Sequence, residues 1–194
     1  MYEDWRRLGR LLSAPTEPPA VSYRQATGAD ALELLDQPGP LVFAFDLETT
    51  DPMWKATFQA HRARPIGFSV SVREGEALYI PDGPEWIRWW LEDPAVVKVC
   101  HNAKFEFTVL AAIGIDLQTV HDTKVMANVL RKPSTHLKQL SWSELGVKQT
   151  RFEEVDWSDP VAVAQYGCAD SDLTLRLYRR MKAQLEAEGL WDLY

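Results

Sequence analysis

The stretch Leu41 to Thr50, reading LVFAFDLETT, constrains the fold more than any other. Leu41-Val42-Phe43-Ala44-Phe45 is an unbroken apolar run with the length and composition of a strand buried on both faces. Asp46 and Glu48 follow, two residues apart. Strand side chains alternate, so both carboxylates leave the same face while Leu47 points back with Phe43 and Phe45. At ~5 Å and an effective dielectric near 20, two such charges repel by about 3 kcal/mol. A buried strand that ends in this way has either reached solvent or has a cation to place between its acids.

The chain has 194 residues, 46% of them hydrophobic and 25% charged, which suits one soluble domain with a single well-buried core. No apolar run is long enough to span a membrane, and the start MYEDWRRLGRLL lacks the core of a signal peptide. The net charge of −7 argues against a surface that coats nucleic acid, which would be basic. It leaves room for an enzyme that holds nucleic acid through metal ions and a few local donors. Cys100 and Cys168 give neither a disulfide framework nor a metal spacing, and apolar surroundings keep them reduced, as in a cytosol. His61, His101, His121 and His136 show no ligand spacing and read as structural or exposed.

Along the chain, residues 1–12 suggest a short amphipathic helix, and 13–20 a proline-rich linker that cannot continue it. Residues 1–20 therefore form an extension, and the compact domain takes residues 21–194. Thr27 to Leu35 reads as a helix capped by Thr27 or Asp30, ended by Gln37-Pro38-Gly39-Pro40. After the key strand, residues 51–65 read as a loop holding Met53, Trp54 and Phe58. Ile66–Val72 and Ala77–Ile80 read as strands joined through Glu74-Gly75. Glu85–Glu92 reads as a helix whose Trp86, Trp89 and Trp90 face the core. Ala95–Cys100 is a strand, Ala103–Ile113 a helix containing the core residues Phe105 and Phe107, and Leu117–Val120 a short strand. Helices follow over Thr123–Leu130 and His136–Leu145. Asp159 and Pro160 open a last helix reaching about Glu188, with a bend expected at Gly167. The order predicts an α/β fold: an antiparallel three-strand meander plus parallel strands in a mixed sheet, flanked by helices.

Two later stretches carry acids. In Asn102-Ala103-Lys104-Phe105-Glu106 an acid stands on a helix just after a buried strand, with Asn102 placed as its cap. In Tyr166-Gly167-Cys168-Ala169-Asp170 a tyrosine and an aspartate four apart share one helical face. Each alone is an ordinary helix edge. Together with Asp46 and Glu48 they form an ordered set.

That order resembles the DEDD superfamily of 3′–5′ exonucleases, in the subgroup with tyrosine in its third motif. In the histidine subgroup that residue lies five before the aspartate, where this chain has Gln165. The stretches ARPIGFSVSV, ALYIPD, DPAVVKVCHNAKFEF, HDTKVMANVLRKPSTHLKQLSWSELG and YGCADSDLTLRLY, with the ending AEGLWDLY, look more closely like the proofreading domain of family A bacterial and phage DNA polymerases. The likeness runs from about Val21 to Tyr194. It implies a ribonuclease H-like fold and removal of nucleoside 5′-monophosphates from single-stranded DNA 3′ ends. It also implies a DNA polymerase domain as partner, in cis or in trans, and the cytoplasm of a bacterial or phage-infected cell.

The resemblance further implies two Mg²⁺ or Mn²⁺ ions, which oxygen-only ligands suit better than zinc. Asp46 would bridge both, Glu48 and Asp170 would complete the first site, and Glu106 would serve the second, partly through water. Tyr166 would orient the attacking water rather than deprotonate it, because a phenol with a pKa near ~10 is a poor base at neutral pH. Thr49, Thr50, Met53 and Asn102 are candidate substrate contacts. The family's second motif carries aspartate where this chain has Glu106, and the added methylene moves a carboxylate by roughly 1.5 Å. That departure bears on how active the site is. Two alternatives stand beside DNA editing: a ribonuclease D-like RNA 3′ exonuclease, and an impaired editing domain kept as a binding or structural module.

Overall fold

The computed structural model describes residues 20–38, 41–50 and 59–194. The expected N-terminal helix and nearly all of the proline-rich linker, with Gly39, Pro40, Met53, Trp54 and Phe58, lie outside the described residues. Strand β1 spans Ser22–Gln25, α1 Gly28–Leu35, β2 Val42–Thr50, β3 Arg64–Arg73 and β4 Glu76–Ile80. Then come α2 Arg88–Glu92, β5 Val97–Cys100, α3 Lys104–Ala112, β6 Val120–Asp122, α4 Thr123–Val129, α5 Leu137–Leu140 and the long α6 Pro160–Ala187. The six strands form one sheet in the order β1-β4-β3-β2-β5-β6. β2, β3 and β4 are the expected antiparallel meander, while β5 and β6 run parallel to β2. β1, which the sequence reading did not include, pairs parallel with β4 at the far edge.

Register decides what each face carries. Phe43, Phe45 and Leu47 of β2, Phe68 and Val70 of β3 and Leu78 and Ile80 of β4 fill one face. Ala31 and Leu35 of α1, Leu91 of α2, and Val109 and Leu110 of α3 pack onto it. Each of these large side chains contributes about 1.5–3 kcal/mol on burial. The opposite face is built of small or polar residues: Ala44, Asp46 and Glu48 on β2, Gly67, Ser69 and Ser71 beside them, and Ala77 and Tyr79 beyond. Small side chains let α6 lie close against this face. Its N-terminal half packs Val163, Ala164 and Cys168 on Ala77 and Tyr79, and its C-terminal half packs Leu175, Leu177 and Met181 with Ala44 and Val99.

Local signals explain the element ends. Thr27 caps α1 in a reciprocal box with Asp30, and the Asp159 carboxylate accepts the Val161 N–H at 2.9 Å ahead of Pro160. Gly75, at φ +82°, supplies the left-handed turn residue between β3 and β4. Helix α6 runs through Gly167 as one continuous helix.

Several other expectations are corrected. The 85–92 segment is a 3₁₀ turn, Pro84–Ile87, followed by α2, and its core residues are Ile87 and Leu91. Trp86 is 46% exposed and Trp89 76% exposed, so these two are not core, whereas Trp90 packs partly against it. The Trp86 ring lies over Gly28, where a Cβ would come within 2.1 Å of it, and its N–H donates to Asp82. Phe107 is exposed, whereas Phe105 packs partly against the core. The 136–145 helix is α5 followed by a π turn, Ser141–Leu145, closed by Gly146 at φ +72°. The short strand expected over 117–120 forms at Val120–Asp122 instead.

Candidate active site

Asp46 and Glu48 stand side by side on the small-residue face, opposite Ser69 and Gly67 of β3. Their burial is imposed by α6, which crosses this face and carries Tyr166 and Asp170 one turn apart. Two contacts fix the crossing. The Ser69 hydroxyl donates to the Gly167 carbonyl at 2.7 Å. A Cβ on Gly167 would lie 3.0 Å from the Tyr79 ring and 3.6 Å from Glu48 Oε1, so glycine allows the close approach.

Glu106 reaches the same region from α3, in the first turn after β5. Asn102 precedes it at φ +73°, and its side chain does not cap the helix as expected. The cap is built from across the sheet. The Asp122 carboxylate accepts the N–H groups of Asn102, Ala103 and Lys124 at 2.8–2.9 Å. Asn102 Oδ1 accepts from Lys124 Nζ at 3.0 Å, which turns the amide into the cleft. Asp122 thus sets the start of the helix that holds Glu106.

Burial raises the proton affinity of all four acids, and repulsion within the cluster adds to it at Asp46 and Glu48. The Asp46 carboxyl is pushed well above the usual range by burial, then by Glu48, Asp170 and Glu106. Burial, then Asp170, lifts Glu48 to about 7; burial lifts Glu106 to about 8, with Asp122 adding to it. Asp170 is lifted to about 6 by burial, against the pull of Lys138 and a Gln149 amide that donates to it at 2.7 Å. The Tyr166 phenol is raised above its ordinary value by burial and by Asp170, Glu48 and Asp46. It cannot serve as a base near neutral pH.

A cleft of about 860 Å³ opens over this floor, and Asp46, Asp170, Tyr166 and Asn102 line it. Its walls carry Lys124, Lys138, Lys148 and Arg151, a local basic rim on an acidic chain. Trp142 and Phe152, both about half exposed, stand on the same walls. Sequence reasoning passed over Lys138, Gln149, Asp122 and these aromatics, because no motif spacing marks them. Thr49 and Thr50 end β2 but do not line the cleft, and Met53 lies outside the described residues. His101 is neutral, its pKa lowered to about 4 by burial, and its Nδ1 lies 2.8 Å from the Thr123 hydroxyl.

The donor set suits divalent ions. Glu48 Oε1 and Glu106 Oε2 are buried oxygens with no hydrogen-bond partner, which is costly unless something positive meets them. All four candidates are carboxylates, the chemistry Mg²⁺ and Mn²⁺ prefer. Among the described residues no three His, Cys, Asp or Glu side chains are drawn together as ligands around one point. The orphaned oxygens and the all-oxygen donor set fit hard divalent cations.

Residues 21–186 match the family model described as 3′–5′ exonuclease. The chain belongs to the 3′–5′ exonuclease family. It is a DEDD-type exonuclease domain that resembles the proofreading domain of DNA polymerase I, and the sheet order with its flanking helices is the ribonuclease H-like fold. DNA polymerase I of Chloroflexus aurantiacus is 33% identical over 207 residues, covering 91% of this chain and 21% of the relative. The chain thus spans about a fifth of the length of the curated relatives it matches. Among solved structures, Brucella melitensis NrnC with bound Mg²⁺ superposes with a TM-score of 0.69 at 24% identity, covering 90% of this chain and 86% of that one. Escherichia coli RNase D, described as an exoribonuclease in structured RNA processing, superposes with a TM-score of 0.69 at 17% identity over 88% of this chain and 46% of that one. At such identities the exonuclease family members share the fold.

Proposed function

We propose that this chain is a metal-dependent 3′–5′ exonuclease that removes nucleoside 5′-monophosphates from DNA 3′ ends, as the editing domain of a DNA polymerase. The observation that carries the reading is the packing of Asp46, Glu48, Glu106 and Asp170 into mutual repulsion beneath the cleft, with two of their oxygens left unpartnered. A fold does not retain such a cluster for stability. Asp46, Glu48, Glu106 and Asp170 would hold Mg²⁺ or Mn²⁺, which would activate water and offset phosphate charge.

The chain's own groups do the rest. Tyr166, raised far beyond use as a base, keeps its proton and orients a water through its hydroxyl oxygen. Lys124, Lys148 and Arg151 on the cleft walls meet the phosphates of an incoming strand. Trp142 and Phe152 offer faces on which unstacked bases rest, which suits a single-stranded end. A polymerase domain, in cis or in trans, would deliver that end, within a bacterial or phage-infected cytoplasm.

DNA is preferred as substrate because the matched relatives are DNA polymerases. The RNA reading has its own support in the fold match to RNase D. The deciding experiment uses 5′-labelled single strands of DNA and of RNA, with Mg²⁺, with Mn²⁺ and with chelator. A metal-dependent ladder of shortened DNA supports the proposal. Shortening of RNA alone transfers it to the ribonuclease reading, and no shortening of either strand makes the domain a disabled module.

A further inference from the structure

Helix α5 is only four residues long, Leu137–Leu140, and buries Leu140 while Leu137 packs partly against the same core cluster. Lys138, between them, is half-buried and lines the cleft. Its ammonium donates to the Thr150 carbonyl at 2.7 Å and to the Tyr166 oxygen at 3.2 Å. It also stands 4.4 Å from the centroid of the Tyr166 ring. Tyr166 is therefore gripped twice, through its oxygen and over its π face.

An ammonium only donates. The Tyr166 oxygen accepts from Lys138, so its own proton points away from the ammonium. The same charge favours ionisation of Asp46, Glu48 and Asp170 against the burial that opposes it.

We propose that Lys138 is a positioning residue of this site: it fixes the orientation and donor direction of Tyr166, and it is the resident positive charge of the acid cluster when no divalent ion is bound. The proposal rests on the exonuclease reading and assigns a role within that site. Two consequences separate it from a simple tether between α5 and Thr150. A resident cation repels incoming divalent ions, so its removal should tighten metal binding. A misoriented Tyr166 should lower turnover more than substrate affinity.

The test compares wild type, Lys138→Met and Lys138→Arg, each first checked for native circular dichroism. Mn²⁺ binding is measured by calorimetry without nucleic acid. Lys138→Met should bind Mn²⁺ about three- to tenfold more tightly, and Lys138→Arg within about twofold of wild type. On single-stranded DNA, Lys138→Met should lose about 10- to 100-fold in kcat with KM within about threefold. Unchanged Mn²⁺ affinity and unchanged kcat in Lys138→Met overturn the proposal. So does a fall in thermal stability common to both variants without any change in Mn²⁺ affinity, which would mark a tether only. Should wild type neither bind Mn²⁺ nor cut, the exonuclease reading fails by itself. The Lys138 proposal is then decided by the ring resonances of Tyr166 in ¹³C-tyrosine-labelled protein, assigned with Tyr166→Phe. A displaced ring signal in Lys138→Met supports it, and an unmoved one overturns it.

Discussion

The Ser69 hydroxyl donates to the carbonyl of Gly167 at 2.7 Å, which ties the strand partner of Asp46 directly to the helix turn between Tyr166 and Asp170. Two motifs more than a hundred residues apart are thereby held at one height on the sheet. The tie needs a residue without a side chain, because the Tyr79 ring and Glu48 occupy the space beyond Gly167.

Gly167→Val should therefore push α6 off the sheet. Overpacking of this kind costs about 1–3 kcal/mol. Thermal unfolding should show a lowered Tm, and hydrolysis should fall further than the Tm loss explains, since Asp170 moves with the helix. A variant with wild-type Tm and wild-type hydrolysis would refute the close packing.

Asp46→Ala should remove activity, by about a thousandfold or more, since a lost metal site costs several kcal/mol of transition-state stabilisation. Its stability should move the opposite way. Asp46 is repelled by Glu48, Asp170 and Glu106, so the metal-free variant should melt at or above the temperature of metal-free wild type. Near wild-type hydrolysis would end the assignment of this residue.

Tyr166→Phe keeps the ring under Lys138 and removes only the hydroxyl. Turnover should fall by about 10- to 100-fold, well short of Asp46→Ala, with KM little changed. Single-turnover assays of the two variants side by side make the comparison, and equal loss in both would contradict an orienting role.

The raised carboxyl groups give the metal-free protein a defined pH response. Glu48 at about 7, Glu106 at about 8 and Asp170 at about 6 all lie above the values of 4.5, 4.5 and 3.8 they start from. A carboxyl whose folded pKa is raised binds its proton better folded than unfolded. Its stabilisation is complete below the unfolded value and is lost as pH rises through the folded one. Metal-free Tm should thus fall between about pH 5 and pH 8.5. Mn²⁺ at ~100 times its Kd should restore about 2.7 kcal/mol at the upper end, or roughly 5–10 °C. A flat metal-free profile, or melting indifferent to Mn²⁺, would argue that the acids do not form one electrostatic unit.

Glu106→Asp shortens the side chain on a helix whose start is set by Asp122, so the backbone should stay in place. Carboxylates exchange direct for water-mediated contact readily, and Mg²⁺ keeps several waters. The rate should change by less than about tenfold in either direction, under ~1.4 kcal/mol. A silent wild type beside an active Glu106→Asp protein would show that glutamate has disabled the site.

Much of this was legible in the chain. The apolar run ending in Asp46 and Glu48 specified β2 and the face of its acids, since alternation along a strand leaves no other choice. Pro160 after Asp159 located the start of α6 to the residue. Strand β1 was not legible: Ser22-Tyr23-Arg24-Gln25 is short, polar and mostly exposed, and it becomes a strand only because β4, over fifty residues later, offers an edge. Trp86 and Trp89 misled because helical spacing gives a shared side without saying which way it faces, and only Trp90 turned partly inward. Ile87 and Leu91 took the interior, and Trp86 settled flat on Gly28 instead. Lys138 and Asp122 act through partners distant in sequence, and single residues of that kind carry no pattern.

The unlike faces of the sheet have a kinetic counterpart. Large interlocking side chains bind α1 and α3 to one face, whereas the N-terminal half of α6 meets the other through a smaller cluster, Val163, Ala164 and Cys168 on Ala77 and Tyr79. Amide protons of Phe43, Phe45 and Phe68 should exchange only by global unfolding, while those around Tyr166 should exchange through a smaller, local opening. On this account the turn that brings Tyr166 and Asp170 to the acids should open before the strands beneath it. A strand end entering the cleft would then meet a floor looser than its walls.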